Sequence, residues 1–388
     1  MYIYSLPDWP KFHWDDQFLA PRLNELKIKQ ARLLGRMEGL GPHYQAVTHL
    51  HTMATELMKS SEIEGHPLNR EAVYHAFGEL LEMPDVKPLE QKIALKNIDL
   101  NIAEHAEKHL QEEIDGLARI QLDAVTQYDQ PLFHIRLFGW HTAMYPEASR
   151  QSNQLVGRYR NNPKDQPLKV VSGPSGRETT HFIAPDADTL QDEMNAFLAW
   201  FNEDQMMDPI IKAGIAHIWF LNIYPFSAGN GIIARMITEM LLCRADLSPQ
   251  RYFSLSAQMR KERNQYFAVL ERAGKDTMNV TNWLAWFIDC LHRALNNADD
   301  LVGQKISGLR RRDKINALEL NERQRAMLNF MAEDPEAPVT SSTWARQTNS
   351  SQDSAGRDIN DLLIRKILVK EVGGGRSTSY SLSPQLLS

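Results

Sequence analysis

Apolar residues recur at helical spacing along most of the chain. Between Tyr44 and Glu64 they fall at Val47, Leu50, Met53, Ala54 and Leu57, the rhythm of one buried helix face. Gly65 and Pro67 end that helix. Before it lies an amphipathic stretch from Asp16 to Met37, punctuated by Gly39, Gly41 and Pro42 and accompanied by the aromatics Trp9, Phe12, Trp14 and Phe18. Residues 1–42 therefore read as a helical N-terminal extension. Helical patterns continue over Leu68–Leu81, Pro88–Leu110 and Pro131–Met144, and then, with breaks, from Thr189 to about Leu301. The period changes in one place. Lys169-Val170-Val171 and His181-Phe182-Ile183 flank Ser172-Gly173-Pro174-Ser175-Gly176, the signature of a β-hairpin over about 169–185.

A boundary is expected at 302–320, where Arg310-Arg311-Arg312 and Lys314 make a short basic linker. Beyond it, at 321–388, helical patterns at Arg323–Ala332, Thr340–Gln347 and Asp353–Lys366 are followed by strand-like Ile367–Lys370, Gly373-Gly374-Gly375 and Ser379–Leu382. Three short helices and a glycine-tipped hairpin describe a winged helix. The fold class is thus mainly α, with one hairpin in the large domain at 43–301.

Composition changes this picture little. The 388 residues carry a formal charge of −6 and 24% charged residues, so no chain-wide basic field favours nucleic acid. The two cysteines, Cys243 and Cys290, sit in apolar helical patterns and read as buried thiols in a reducing compartment. The N-terminus lacks a basic region followed by an apolar core. The most apolar run, Ile210–Phe226, is interrupted by Lys212, His217, Asn222 and Pro225. A cytoplasmic protein without a membrane partner is the expectation. His49/His51 and His105/His109 fall on helical patterns without carboxylate or thiol partners at metal-ligand spacing, and no P-loop, dinucleotide fingerprint or zinc motif occurs. Within 321–388, eight Lys and Arg balance eight Asp and Glu. DNA binding, with Arg357, Arg365, Lys366 and Arg376 gathered near one helix and the wing, and a protein-interaction or dimerisation role both stay open.

The most informative stretch is Tyr224-Pro225-Phe226-Ser227-Ala228-Gly229-Asn230-Gly231-Ile232-Ile233-Ala234-Arg235. A helical approach leads into a Pro- and Gly-rich loop and a second helix leaves it. Gly229-Asn230-Gly231 at a helix start offers N–H groups to an anion, although a tight interhelical turn has the same composition. The stretch resembles the loop of the Fic family, His-Pro-Phe-x-(Asp/Glu)-Gly-Asn-Gly-Arg-x-x-Arg. Pro225, Phe226, Gly229, Asn230, Gly231 and Arg235 match at the right spacing. A second resemblance lies upstream: Ser60-Ser61-Glu62-Ile63-Glu64-Gly65 fits the family's inhibitory pattern (Ser/Thr)-x-x-x-Glu-(Gly/Asn). Gly157-Arg158-Tyr159-Arg160, Ala216–Phe220 and the N-terminal Trp9–Asp15 resemble the family too.

The resemblance implies a Fic-type helical core with a hairpin flap that docks a target segment, an inhibitory helix at about 45–65, and a catalytic-type loop at 224–235. It implies transfer of AMP from ATP to protein Tyr, Ser or Thr hydroxyls. Three positions depart from the pattern. The family's base, a His, is Tyr224, a poor proton acceptor near neutrality. Its Mg²⁺-holding acid is Ala228, which has no ligand atom. Its first Arg is Ile232, which removes a phosphate-site cation. ATP is then expected to bind weakly or non-productively at Gly229, Asn230, Gly231 and Arg235, with no metal ligand at 228. Gln265 and Tyr266, in Arg263-Asn264-Gln265-Tyr266, match the adenosine-contacting segment, although Tyr266 fits core packing equally well. Ser60 and Glu64 share a helix face. By resemblance Glu64 pairs with Arg235; taken alone it reads as a solvated carboxylate at an unfavourable helix end. The partners implied are a nucleotide, a target protein, and DNA or a second copy of the chain at the winged helix. The alternative to a disabled transferase is a non-enzymatic, nucleotide-sensing scaffold.

Overall fold

The structure, a computed structural model, describes residues 1–86, 103–149, 155–174, 176–203, 206–333, 339–371 and 378–387. It is mainly α and divides into two compact units, Met1–Ala298 and Asp299–Ser388. Among the described residues no helix is long and apolar enough to cross a membrane.

The first unit opens with α1 (Asp16–Glu38), whose N-cap Asp15 accepts the Phe18 N–H. Pro42 at the first position of α2 (Pro42–Ile63) explains the sharp start there, since a missing N–H costs nothing at a helix N-terminus. α3 (Arg70–Leu80) follows, capped by Asn69. Of the helix expected at Pro88–Leu110, residues 88–102 lie outside the described residues, and α4 spans Ala103–Thr126. Then come α5 (His134–Met144), a turn of helix α6 (Pro146–Ser149), and the antiparallel pair β1 (Lys169–Ser172) and β2 (Thr179–Ile183). This is the expected hairpin, apart from Ser175, which lies outside the described residues. α7 (Leu190–Asn202), α8 (Pro209–Ile223), α9 (Asn230–Asp246), α10 (Leu255–Lys261) and α11 (Arg263–Ala273) complete the unit with the first part of α12 (Thr281–Asn316).

α8 and α9 form the centre. Every residue of α9 from Asn230 to Cys243 is buried, as is α8 from Ile210 to Phe220. A helix apolar on all sides belongs inside, and α2, α4, α5 and α7 pack around this pair. The loop between α8 and α9 is consequently held by helices that have little freedom to move.

The N-terminal extension is woven into this unit. Ile3 is fully buried and its N–H reaches the Gly274 carbonyl at 3.0 Å. Trp9 and Phe12 stack edge-on against Trp219 of α8. Tyr2 and Tyr4 pack on Phe182 of β2, and the Tyr4 hydroxyl donates to the Ile183 carbonyl at 2.6 Å. The first residues of the chain thereby brace the hairpin.

The second unit holds the rest of α12, α13 (Glu322–Glu333), β3 (Val339–Thr340), α14 (Ser341–Gln347), α15 (Gln352–Ile364), β4 (Leu368–Lys370), β5 (Ser379–Leu382) and the short α16 (Pro384–Leu387). The sheet is antiparallel in the order β3-β5-β4, packed around fully buried Trp344 with Ile315, Met327, Leu328, Ile359 and Leu362. The stretch expected as a linker is helical as far as Asn316. Its central arginine, Arg311, turns inward and donates twice to the Ala332 carbonyl at the end of α13. A run of arginines in sequence looks solvated, but here one of them caps a helix. Gly373-Gly374-Gly375 and Arg376 lie outside the described residues.

Candidate functional site

The α8–α9 loop is built on two left-handed residues. Tyr224 ends α8 at φ 50° and Gly229 precedes α9 at φ 75°. For glycine this conformation is free, whereas a tyrosine held there carries about 1–3 kcal/mol of strain that its surroundings must offset. Those surroundings are specific. The buried Asn230 side chain accepts from the Phe226 N–H at 2.9 Å and donates to the Phe226 carbonyl at 2.8 Å, closing the loop on itself. Arg160 donates to the Tyr224 carbonyl (2.8 Å) and to the Pro185 carbonyl beyond the hairpin (2.7 Å), while its own N–H reaches the Pro225 carbonyl (2.9 Å). Burial lowers this guanidinium to about 10, still fully charged at neutral pH. Phe226 is fully buried and stacks on His141 at 4.3 Å. The His141 Nδ1 accepts the Gly157 N–H at 3.0 Å, and burial pushes its pKa down to about 4, so it is a neutral ring behind the loop.

In front of the loop lies an anion site already filled by the protein's own carboxylate. Glu64 follows the last residue of α2, and a Cβ on Gly231, in the first turn of α9, would overlap its Oε1. The carboxylate thus rests on the positive end of α9. Arg235, one turn further on and 2% exposed, donates through Nη2 to Glu64 Oε1 at 2.7 Å. The same guanidinium donates to Ser60 Oγ at 2.7 Å and to the Ser60 carbonyl at 3.0 Å. Burial alone would depress Arg235; Glu64, with the Tyr266 phenol, turns the net direction upward. The charges of a helix end and a buried arginine compensate a glutamate that would otherwise be badly placed at the C-terminus of α2.

Behind Arg235 runs a chain of neutral partners. Tyr266 faces the guanidinium and its hydroxyl lies 2.8 Å from His217 Nε2, while His217 Nδ1 lies 2.9 Å from Thr238 Oγ1, which donates to the Ala234 carbonyl. Burial, and then Arg235, holds His217 at about 3, so Nδ1 donates to Thr238 and Nε2 accepts from Tyr266.

A profile of the Fic/DOC family matches residues 133–242, which span α5, the hairpin, α8 and the loop with most of α9. This span carries a Fic/DOC domain. A second profile, a domain of unknown function (DUF4172), matches residues 2–83, the N-terminal segment together with α2 and α3. Two similar curated proteins are the protein adenylyltransferases Fic of Culex quinquefasciatus, 29% identical over 116 residues, and of Nematostella vectensis, 25% identical over 118 residues. Each match covers 29% of this chain and only 22% and 25% of those proteins. A crystal structure of a Fic family protein from Desulfovibrio desulfuricans G20 superimposes with a TM-score of 0.51, covering 94% of this chain and 96% of that one at 17% identity, a likeness of fold.

The loop residues of the Fic/DOC domain and the upstream pair, distant in sequence, come together: Ser60, Glu64, Gly231 and Arg235 form one cluster, with Gly229 and Asn230 shaping the turn beside it. Tyr224 adjoins it, its ring 5.7 Å from Phe182 of the hairpin, and burial followed by the Glu64 charge raises its phenol to about 12. At neutral pH it is a protonated hydroxyl and a donor, not a base. Ala228 is exposed at the tip of the loop, while Ile232 is buried at 7% exposure. Gln265 is exposed on α11, but Tyr266 is 1% exposed and stacked with Trp286. The core reading of Tyr266 is the one its packing supports. Among the described residues no three His, Cys, Asp or Glu side chains gather to hold a metal. The carboxylate at this site, Glu64, is committed to Arg235, so the donor set does not fit Mg²⁺. The phosphate side fits better, because Gly231, the N-terminus of α9 and Arg235 cradle an anion. Sequence reasoning missed His141 and Tyr145; the latter's hydroxyl lies 2.9 Å from where a Cβ on Gly229 would sit. α5, which holds His141 and ends just before Tyr145, shows only a helical pattern in sequence and carries no motif.

Proposed function

We propose that this chain is a nucleotide-binding Fic protein whose adenylyl transfer is disabled, with Glu64 as the intramolecular competitor for the phosphate site. One observation carries the reading: the carboxylate of Glu64 occupies the anion position on Gly231 while paired to Arg235 at 2.7 Å. ATP would bind by displacing Glu64 and laying a phosphate on the N-terminus of α9, with Arg235 as its cation. Transfer would further require a group to take the proton from an acceptor hydroxyl. Tyr224, with its phenol raised to about 12, does not supply one. Incubation with labelled ATP and Mg²⁺ tests this. The unaltered chain is expected to label no protein above background, whereas Tyr224→His/Ala228→Asp/Ile232→Arg gains transfer. Robust transfer by the unaltered chain, abolished by Tyr224→Phe, overturns the proposal.

The second unit supports a regulatory output through a winged helix, whose order of helices and strands it has. The exposed face of α15 carries Asp353, Arg357, Asn360, Asp361 and Ile364, the last 82% exposed. Two carboxylates and an exposed isoleucine on that face favour a protein partner over a DNA backbone. Duplex DNA titrated at low salt is expected to bind weakly; tight, steeply salt-dependent binding would reverse that preference.

A further inference from the structure

We infer that Arg263 is the positioning residue that sets Glu64 in the anion site, so that the segment implied to contact the nucleoside also holds the inhibitory helix. The inference rests on the proposal that Glu64 and a nucleotide compete. It begins with the carbonyls at the end of α2, which have no partners within their own helix. The Ser60 carbonyl accepts from Arg235 Nη2 at 3.0 Å. The next two are closed by the chain as it leaves the helix: the His66 N–H donates to Ser61 at 3.0 Å and the Gly65 N–H to Glu62 at 3.2 Å, with Gly65 at φ 90°. The last, that of Ile63, accepts Nε of Arg263 at 3.0 Å. The final turn of α2 is thereby gripped by two arginines, one from α9 and one from α11, and Glu64 is the next residue along.

Arg263 is itself fixed on α11. Its guanidinium lies 4.7 Å from the ring centroid of Phe267, one turn along the same helix. A cation at this point also favours the negative end of α2. α11 additionally carries Tyr266, which faces Arg235, and Glu271, which lies 3.3 Å from His181 of the hairpin. The helix therefore touches the inhibitory segment, the buried arginine and the hairpin.

The experiment is a double-mutant cycle on the full chain, read by calorimetry with ATP. Arg263→Met keeps the apolar stem over Phe267 and removes the donor. It is expected to tighten ATP binding by about three- to tenfold, the range for losing one hydrogen bond from a half-buried donor to a neutral carbonyl. Glu64→Gly alone tightens it more, and the double variant binds no tighter than Glu64→Gly, because a latch has nothing left to hold. Hydrogen exchange provides a reading independent of ligand: amides of residues 62–66 exchange faster in Arg263→Met. If Glu64→Gly tightens binding while Arg263→Met changes neither affinity nor exchange, the latch is wrong and the competition stands. If Arg263→Met weakens binding in the Glu64→Gly background, Arg263 is a ligand contact and the inference fails. If neither single variant changes affinity, the competition itself is wrong and the latch falls with it.

Discussion

Replacing Glu64 by glycine removes the carboxylate from the anion site without touching the loop. Three interactions are lost. The first is the 2.7 Å bond to Arg235, between a guanidinium with 2% of its side chain exposed and a carboxylate with 31%. A charge-assisted hydrogen bond of this kind contributes about 1.5–3 kcal/mol. The second is the carboxylate's contact with the positive end of α9, worth about 0.3–1 kcal/mol. The third works the other way: a carboxylate at the C-terminus of α2 is disfavoured by a similar amount, so the two dipole contributions roughly cancel. What ATP must displace is therefore about 1.5–3 kcal/mol, and Glu64→Gly is expected to lower the Kd by about ten- to a hundredfold. The ligand-free variant should also melt at a lower temperature than the parent, since Arg235 is left buried without its carboxylate partner, and ATP should restore the loss. Isothermal calorimetry on both proteins, with and without Mg²⁺, measures the change, and labelled-ATP transfer is measured beside it. Unchanged affinity refutes the competition. Tighter binding accompanied by restored transfer refutes the disabled reading, because removing a competitor supplies neither a base nor a metal ligand.

Other predictions concern the frame around the site. Asn230→Ala removes two buried hydrogen bonds to Phe226, at 2.9 and 2.8 Å, and leaves both backbone groups unpaired; it should cost about 2–4 kcal/mol of stability, read as a fall in thermal midpoint. A midpoint within a degree of the parent would mean that the turn does not depend on Asn230. A pH dependence follows from three neutral histidines, the part-buried His49 and the buried His141 at about 4 and the buried His217 at about 3, against 6.5 in the unfolded chain. Their contribution is complete above pH 6.5. As pH falls below 6.5 the unfolded chain takes up protons that the folded one excludes, so stability drops by up to about 1.4 kcal/mol per pH unit for each ring. Tryptophan fluorescence follows this in the first unit, because Trp344 is the one tryptophan beyond residue 298; a midpoint flat from pH 7 to 5 would contradict it.

Helix periodicity, proline and glycine punctuation located most elements, including the hairpin and the two helices that meet at the loop. The motif at 224–235 and the pair Ser60/Glu64 were legible as separate strings. Their meeting was implied by resemblance, and the geometry brings Arg235 and Glu64 within 2.7 Å. What the sequence hid depends on which side of a helix faces inward. Arg311 lies in a basic run and is buried as a helix cap. Tyr266 adjoins exposed Gln265 and is sealed against His217. Arg160 and His141 hold the loop from more than sixty residues upstream, the first by hydrogen bonds to its backbone and the second by a ring stacked on Phe226, contacts that no side-chain motif encodes.

The residues that match the Fic loop do not all speak for function. Phe226 is buried in the core, Asn230 closes the turn on Phe226, and Gly229 takes a left-handed conformation where a side chain would strike Met144 and Tyr145. Each is required for this turn to fold, whether or not a nucleotide ever enters it. Arg235 is different. Burying its charge costs several kcal/mol unless it is paired, and a methionine or leucine would fill the same space more cheaply. Nor does the loop need it, since its hydrogen bonds go to Ser60 and Glu64 on another helix. Gly231 likewise adopts ordinary helical backbone, and its missing side chain matters because the Glu64 carboxylate takes that space. The pair Gly231 and Arg235, a cradle and a cation around an acidic group, is therefore what separates a surviving anion site from a turn kept for its shape. Its occupation by Glu64 is the observation on which the proposed competition with a nucleotide rests.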